Sequence, residues 1–374
     1  ESRCRRLRTV CEKNMCAGCM ACVDACSRNA IEIKDEICYL NAVIDEEKCV
    51  QCNQCYRVCQ VQHKPKYRKP IMWKEGWSKK EDIRKTSSSG GYATAIEMAF
   101  IQAGGIVCSC AFENGIFGFF VAETIDAIKR FKGSKYVKSN PLGAYKTVAG
   151  LLQQGRKVLF LGLPCQVASM KNFTNDNENL YTIDLICHGT PSVKVLELFL
   201  HEYKYSLRQL NNIVFRTKNK FSLKHNEKTF TVPSVRDNYS ATFLNGTIYT
   251  ENCYNCEYAK LERVSDLTLG DSWGSQCPED EIQKGISLVL CQTLKGEYLL
   301  KIADIYMKDV DLDNAILNNH QLYSSSDKPK QREKFLRMLK SGCKYSHIVM
   351  QCYPMRYMKD FVKTLLFKIG VNIM

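Results

Sequence analysis

The sequence predicts an α+β chain: a small cysteine-dense N-terminal module, a mixed α/β domain after it, and a basic helical C-terminal tail. Three observations carry that expectation. Cysteines between Cys16 and Cys59 recur at one fixed spacing, short apolar runs alternate with helical patterns through the middle of the chain, and the stretch from Lys328 to Met374 holds eleven Lys and Arg against only Glu333 and Asp360. Composition and punctuation divide the chain into residues 1–62, a basic, proline-broken linker over 63–85 (His63-Lys-Pro-Lys-Tyr-Arg-Lys-Pro70 and onward), a main domain over 86–310 and the tail over 311–374.

In the first stretch, Cys16-Ala-Gly-Cys19-Met-Ala-Cys22-Val-Asp-Ala-Cys26 recurs as Cys49-Val-Gln-Cys52-Asn-Gln-Cys55-Tyr-Arg-Val-Cys59. Both copies read C-x2-C-x2-C-x3-C. Three thiolates from such a loop cap one face of a cubane, and the fourth, three residues on, points toward the other cluster. The spacing therefore predicts two [4Fe-4S] clusters, one held by Cys16, Cys19, Cys22 and Cys59 and the other by Cys49, Cys52, Cys55 and Cys26. Ser27 and Gln60 stand where a proline usually follows the fourth cysteine. Zinc, which C-x2-C pairs also hold, would not call for eight cysteines in two copies of this run. Between the runs, Ala30–Ile33 and Cys38–Val43 read as a hairpin. The module resembles a bacterial-type two-cluster ferredoxin, which passes single electrons and has no substrate chemistry of its own.

Composition narrows the rest. With 374 residues, 45% hydrophobic and 25% charged, the chain has the profile of a folded protein rather than a disordered one. Its 21 cysteines are far more than a core needs, yet the chain is too long and too apolar for a small secreted disulfide framework. Glu1 to Val10 carry arginines and no apolar run of the signal-peptide kind, so reduced thiols in a cytoplasmic setting are expected. The longest apolar stretches, Ala93 to Val107 and Phe361 to Met374, fall short of a transmembrane segment, which leaves peripheral membrane contact as the closest approach. Net charge is +14, with a surplus of nine between Lys328 and Met374, which suits a solvated basic surface, an anionic membrane or an acidic electron-transfer partner. Aromatics are not interleaved with the basic residues, so nucleic acid is not expected.

Across the main domain, Gly105–Ala111, Lys157–Leu161, Leu180–Cys187 and Ile286–Gln292 read as strands, alternating with helical patterns at Tyr92–Ile101, Gly143–Gln153 and Val193–Tyr205. Ser87, Ser88, Ser89, Gly90 and Gly91 immediately precede the first of those helices. Hydroxyls, bare backbone N–H groups and a helix N-terminus there suit an anion such as a diphosphate; a flexible serine-rich turn is the alternative. Cys165 lies just beyond one strand-like run and Cys187 ends another, so both are expected at one edge of a sheet. No G-x-G-x-x-G follows a strand, and neither a G-x-x-x-x-G-K-[ST] loop nor a G-x-S-x-G elbow occurs.

Thr86-Ser-Ser-Ser-Gly-Gly91, Gly133-Ser-Lys-Tyr-Val137, Gly162-Leu-Pro-Cys-Gln166, Cys187-His-Gly-Thr-Pro-Ser192, Cys253-Tyr-Asn-Cys256 and Asp266-Leu-Thr-Leu-Gly-Asp-Ser-Trp-Gly274 together resemble the coenzyme F-420 hydrogenase/dehydrogenase beta subunit family, over roughly residues 10 to 310. The resemblance implies FAD, a [4Fe-4S] cluster close to it, and two-electron exchange with an organic small molecule or a deazaflavin. It assigns the Ser87–Gly91 turn to the flavin diphosphate, and sets Lys135 beside a flavin phosphate or ring, with a plain surface lysine as the alternative. Cys165, Cys187, Cys253 and Cys256 match its cysteine-bearing motifs and would complete a third [4Fe-4S] site; a redox or zinc pair at Cys253 and Cys256 is the competing reading. His188 is then a candidate proton donor to the flavin or a structural turn residue, and Asp271 a turn-orienting Asx residue.

The function expected is an iron–sulfur flavoprotein oxidoreductase in which ferredoxin or another electron-transfer protein feeds FAD, which reduces an organic substrate. The alternatives are a coenzyme F-420 dehydrogenase, a non-catalytic electron-transfer subunit of a larger complex, and, more distantly, a redox sensor that binds nucleic acid through the tail. Homo-oligomerisation is left open. The nine cysteines outside these sets, Cys4, Cys11, Cys38, Cys108, Cys110, Cys277, Cys291, Cys343 and Cys352, have no metal spacing and read mostly as small buried hydrophobes.

Overall fold

Alternation of Ile31 and Ile33 with charged residues, and the apolar return run Leu40, Ala42, Val43 and Ile44, build the hairpin of the N-terminal module. Strand β1 (Ile31–Asp35) pairs antiparallel with β2 (Leu40–Ile44), Ile31 opposite Ile44 and Asp35 opposite Leu40. This is a computed structural model describing residues 8–371; residues 1–7, Cys4 among them, and 372–374 lie outside the described residues. Each cysteine run winds through a loop into a one-turn helix, Ala21–Ala25 in the first copy and Gln54–Val58 in the second. The two loops are conformational copies: the third and fifth positions of each, Gly18 and Met20, then Gln51 and Asn53, all take positive φ.

The main domain is an eight-stranded mixed sheet. Its strands are β3 (Met72–Ser78), β4 (Ile106–Glu113), β5 (Ile116–Ala122), β6 (Val158–Gly162) and β7 (Leu180–Leu185), joined after the separate three-stranded sheet β8 (Val214–Thr217), β9 (Lys220–His225) and β10 (Lys228–Thr229) by β11 (Leu267–Asp271), β12 (Ser287–Cys291) and β13 (Ile305–Asp309). The large sheet runs in the order β13-β3-β12-β11-β7-β6-β4-β5. The four strands β11, β7, β6 and β4 are parallel, and the flanking pairs are antiparallel. Strand β6 is buried along its whole length, as its unbroken apolar run Val158–Leu161 requires of a strand covered on both faces.

One face is covered by the helices Tyr92–Gln102 and Leu294–Ile302, through Tyr92, Ile96, Phe100, Leu299 and Leu300. The other takes the helices Ala144–Gln153 and Pro164–Phe173, and the same core continues into the N-terminal module, so that Val158 and Phe160 share one apolar cluster with Cys16, Cys19 and Cys22.

Two expectations are corrected. Residues 63–85 are not merely a linker: Met72–Ser78 is β3, inserted between β12 and β13. Its charged centre conceals it, because Glu75 is buried and neutralised by hydrogen bonds from Ser272 and Ser275 and an ion pair with Lys308. The tail is helical but does not stand apart. Phe335 and Leu339 of the helix Arg332–Lys340, with Tyr345, Ile348 and Val349 of Tyr345–Cys352, enter a core shared with the helices Val193–Glu202 and Asn238–Leu244.

Candidate functional site

The eight cysteines of the repeat fall around two cavities. Cys16, Cys19, Cys22 and Cys59 line one; Cys26, Cys49, Cys52 and Cys55 line the second. The exchange follows from the helices: Cys26 and Cys59 end their own copy's helix in extended conformation and reach the other copy's loop. Backbone N–H groups point at sulfur in both, Gly18 to Cys16 Sγ at 3.4 Å and Ala30 to Cys26 Sγ at 3.3 Å. Burial pushes the Cys19 thiol up to about 11 and raises Cys22 as well, so a cation must be present for these sulfurs to ionise near neutral pH. Sulfur-directed amides, buried thiols and a four-cysteine lining fit iron–sulfur ligation. Among the described residues no three His, Cys, Asp or Glu groups converge on one point as a single ion requires, and the thiolates of a cubane attach to separate irons.

A fifth thiol lines the first cavity. Cys11 lies beside Cys16 and Cys59, and its neighbouring thiol lowers the pKa of both. Sequence reasoning placed Cys11 among the cysteines without metal spacing; its separation of five from Cys16 was the available signal.

The module's first cavity abuts the main domain. Cys19 Sγ is 3.1 Å from Ser169 Oγ, and Tyr145 Oη donates to the Cys19 carbonyl at 2.7 Å. Ser169 lies one turn along the helix that opens with Pro164 and Cys165. Cys165 and Cys187 follow the C-terminal ends of the neighbouring parallel strands β6 and β7, which puts them at one sheet edge. Cys253 and Cys256 approach from a 3₁₀ turn, with the Thr190 N–H 3.5 Å from Cys253 Sγ. The four thiols act on one another: burial raises Cys165, Cys187 and Cys256, and the neighbouring cysteines add to each. Lys138, buried and bonded to the Ala17 carbonyl at 3.0 Å, opposes that rise at Cys165 and Cys187 and also lowers Cys16. It is therefore a cation shared by two thiol groups, three residues beyond Lys135 in the same segment.

The turn Ser87–Gly91 lies at the same edge, where Ser78 N–H donates to the Gly90 carbonyl at 2.8 Å. Gly90 is required by close approach, since a Cβ there would come within 2.4 Å of the Gly76 carbonyl oxygen, and Gly91 takes φ +91. The Ser87 and Ser89 hydroxyls are spent on the carbonyls of Ile83 and Ile286, whereas Ser88 Oγ accepts from the Ser134 N–H at 3.1 Å and keeps its own proton to donate. No side chain caps the helix that starts at Tyr92. Two lysines reach the turn on neutral oxygens, Lys132 on Thr86 Oγ1 at 3.0 Å and Lys218 on the Ser89 carbonyl at 2.9 Å, whereas Lys135 folds back on the Phe131 carbonyl at 2.6 Å, beside Glu97. Burial, reinforced by Arg84 and Arg216, pushes Lys218 down to about 8. This excess of positive charge beside a helix start that no side chain caps suits an anionic ligand.

Behind the turn, burial pushes Glu97 up to about 8, with Lys135 and the Ser109 hydroxyl opposing the rise. Asp271 does not orient its own turn as expected. It forms a two-pronged ion pair with Arg216 at 2.6 and 2.7 Å, and Arg216 in turn stacks over Trp273. His188 is exposed, with Asp271, His320 and Arg216 as its ionisable neighbours. Glu97, Lys138, Arg216 and Lys218 were not singled out from sequence.

Compared with known proteins, residues 155–313 match the family described as the C terminus of the coenzyme F420 hydrogenase/dehydrogenase beta subunit, and residues 15–63 match the 4Fe-4S dicluster domain. No curated protein matches the chain. Among solved structures, a chain of the F420-reducing [NiFe] hydrogenase complex from Methanosarcina barkeri is 19% identical, covering 76% of this chain and 92% of that one with a TM-score of 0.48.

Proposed function

We propose that the chain is an iron–sulfur flavoprotein oxidoreductase, a reading supported by the match of residues 155–313 to the C terminus of the coenzyme F420 hydrogenase/dehydrogenase beta subunit and of residues 15–63 to a 4Fe-4S dicluster domain. Electron transfer through iron–sulfur clusters is its general chemistry. The finer reading is that Cys165, Cys187, Cys253 and Cys256 hold a third cluster, that the Ser87–Gly91 turn with Ser88, Lys132, Lys135 and Lys218 holds the FAD diphosphate, and that an organic substrate exchanges electrons at the flavin. When bound, clusters pass electrons singly and the flavin exchanges them in pairs with substrate.

The observation that carries this reading is the 3.1 Å contact between Cys19 Sγ and Ser169 Oγ. It joins the module's buried cavity to the helix that presents Cys165, while the outer cavity opens to solvent through the exposed Cys52. Cys52 therefore marks the end where an electron-transfer protein would dock, and the sheet edge bearing Ser88 and His188 the end where an organic molecule would bind. Lys138, between the two thiol groups, offsets the negative charge that both accumulate on ligation. Exchange with a deazaflavin is a second reading, favoured by the family matched over residues 155–313.

Anaerobic purification with iron, acid-labile sulfide and flavin determined per chain tests the proposal. About twelve irons and one FAD are expected, with bleaching of the flavin by reduced ferredoxin or by reduced coenzyme F-420 naming the donor. About eight irons without flavin would withdraw the third cluster and the flavin together.

A further inference from the structure

The last helix, Pro354–Lys368, is turned the wrong way round for a helix that caps a core. Met355, Met358, Phe361, Val362, Leu365 and Ile369 recur at intervals of three or four and form one stripe, and all six are between 47% and 74% exposed. Near its start the polar side meets the protein. Arg356 bonds Asn238 Oδ1 at 3.0 Å and the Arg236 carbonyl at 2.8 Å, and pairs with Asp360 at 3.1 Å. No residue of this helix is buried. The preceding helices of the tail are anchored in the core through Phe335, Leu339, Tyr345 and Ile348, so the stripe is held out on a fixed base.

We propose that this helix lies flat on an anionic lipid bilayer. Two features select lipid as the occupant. Lys359 follows the stripe on one side of the helical wheel and Lys368 on the other, so that their ammonium groups can rise to the headgroups while the stripe enters the acyl boundary. The stretch from Lys328 to Met374 also carries a surplus of nine positive charges, which complements an anionic surface and repels a second copy presenting the same face. No helix among the described residues is long and apolar enough to cross a membrane, so the contact is in-plane.

The test is flotation of the full chain, purified anaerobically, with vesicles of pure phosphatidylcholine and of equimolar phosphatidylcholine and phosphatidylglycerol. The bound fraction is expected to be at least about tenfold higher on the anionic vesicles, to fall about tenfold or more in the double variant F361D/L365D, and to lose its anionic preference in K359E/K368E. These four side chains are exposed, and unchanged iron content and circular dichroism verify that the variants fold. Equal binding to both vesicles, or undiminished binding by F361D/L365D, overturns the proposal. So does a concentration-dependent dimer that F361D/L365D abolishes while the parent chain ignores vesicles.

Discussion

Cys19 Sγ and Ser169 Oγ, 150 residues apart in sequence, lie 3.1 Å apart at the seam between the cysteine module and the main domain. A hydroxyl donating to a ligating sulfur stabilises the more negative, reduced form of a cluster. Ser169→Ala should therefore lower the potential of the first cluster by the equivalent of about 1 kcal/mol per electron, with iron content unchanged. A spectroscopic redox titration of the two proteins checks this; an unshifted potential would show that the contact carries no electron-transfer role.

Cys11 lies beside Cys59 in the lining of the first cavity and offers a spare sulfur there. Cys59→Ala is expected to retain its iron because Cys11 takes the vacated corner, whereas the double variant C11A/C59A should lose about four irons per chain. Iron assays on both variants decide it, and equal losses would show that Cys11 cannot reach the cluster.

Glu97 gives a pH prediction with a definite sign. Its pKa rises from an ordinary carboxyl value to about 8 on folding. The native state therefore binds the extra proton between those limits, and Glu97 contributes stability that is complete below the unfolded value and lost as pH rises through about 8. Melting curves should show the parent losing on the order of a few kcal/mol across that window relative to Glu97→Gln, which cannot titrate. Parallel pH profiles for the two would mean that Glu97 is ionised in the fold.

Lys218 titrates in the opposite sense. Its pKa of about 8 means that the ammonium discharges just above neutrality, long before an ordinary lysine would. Affinity of the apo chain for FAD, followed by quenching of flavin fluorescence, should decline as pH passes through 8, and Lys218→Met should flatten that decline while weakening binding about tenfold at neutral pH. Unchanged affinity in the variant would remove Lys218 from the diphosphate site.

Arg263 and Asp184 are both fully buried, and Arg263 Nη2 is 3.1 Å from Asp184 Oδ1. Arg263→Met leaves a carboxylate without its cation and should cost about 3–5 kcal/mol, while D184N/R263M should recover part of that loss. Chemical denaturation of both variants gives the comparison.

Legibility in the sequence followed how local each signal was. The β1–β2 hairpin and strands β6 and β7 were readable because alternation or an unbroken apolar run shows within a few residues. Strand β3 was hidden by the polar centre Lys74-Glu75-Gly76, since the burial of Glu75 makes sense only once Ser272, Ser275 and Lys308 arrive from distant parts of the chain. The same holds at the site. The cysteine spacings announce themselves, but the Asp271–Arg216 pair joins residues 55 apart, and an Asx turn was the only partner that local sequence could offer Asp271. Lys138 escaped notice because nothing around it shows that its side chain reaches the Ala17 carbonyl, 121 residues back.

Strand β3 also constrains how the protein can be made and divided. It leaves the ribosome just after the cysteine repeat, yet its two neighbours, β12 and β13, are the last strands of the sheet to be synthesised. The centre of the sheet can form early, but this edge stays open until residue 309 has emerged, a non-local closure of the kind that slows folding. Cutting the chain at a supposed linker near residue 85 would strand β3 with the wrong fragment. The cysteine module is therefore no interchangeable cassette, and a transplant should carry residues through Ser78 or expect an unfilled slot between β12 and β13.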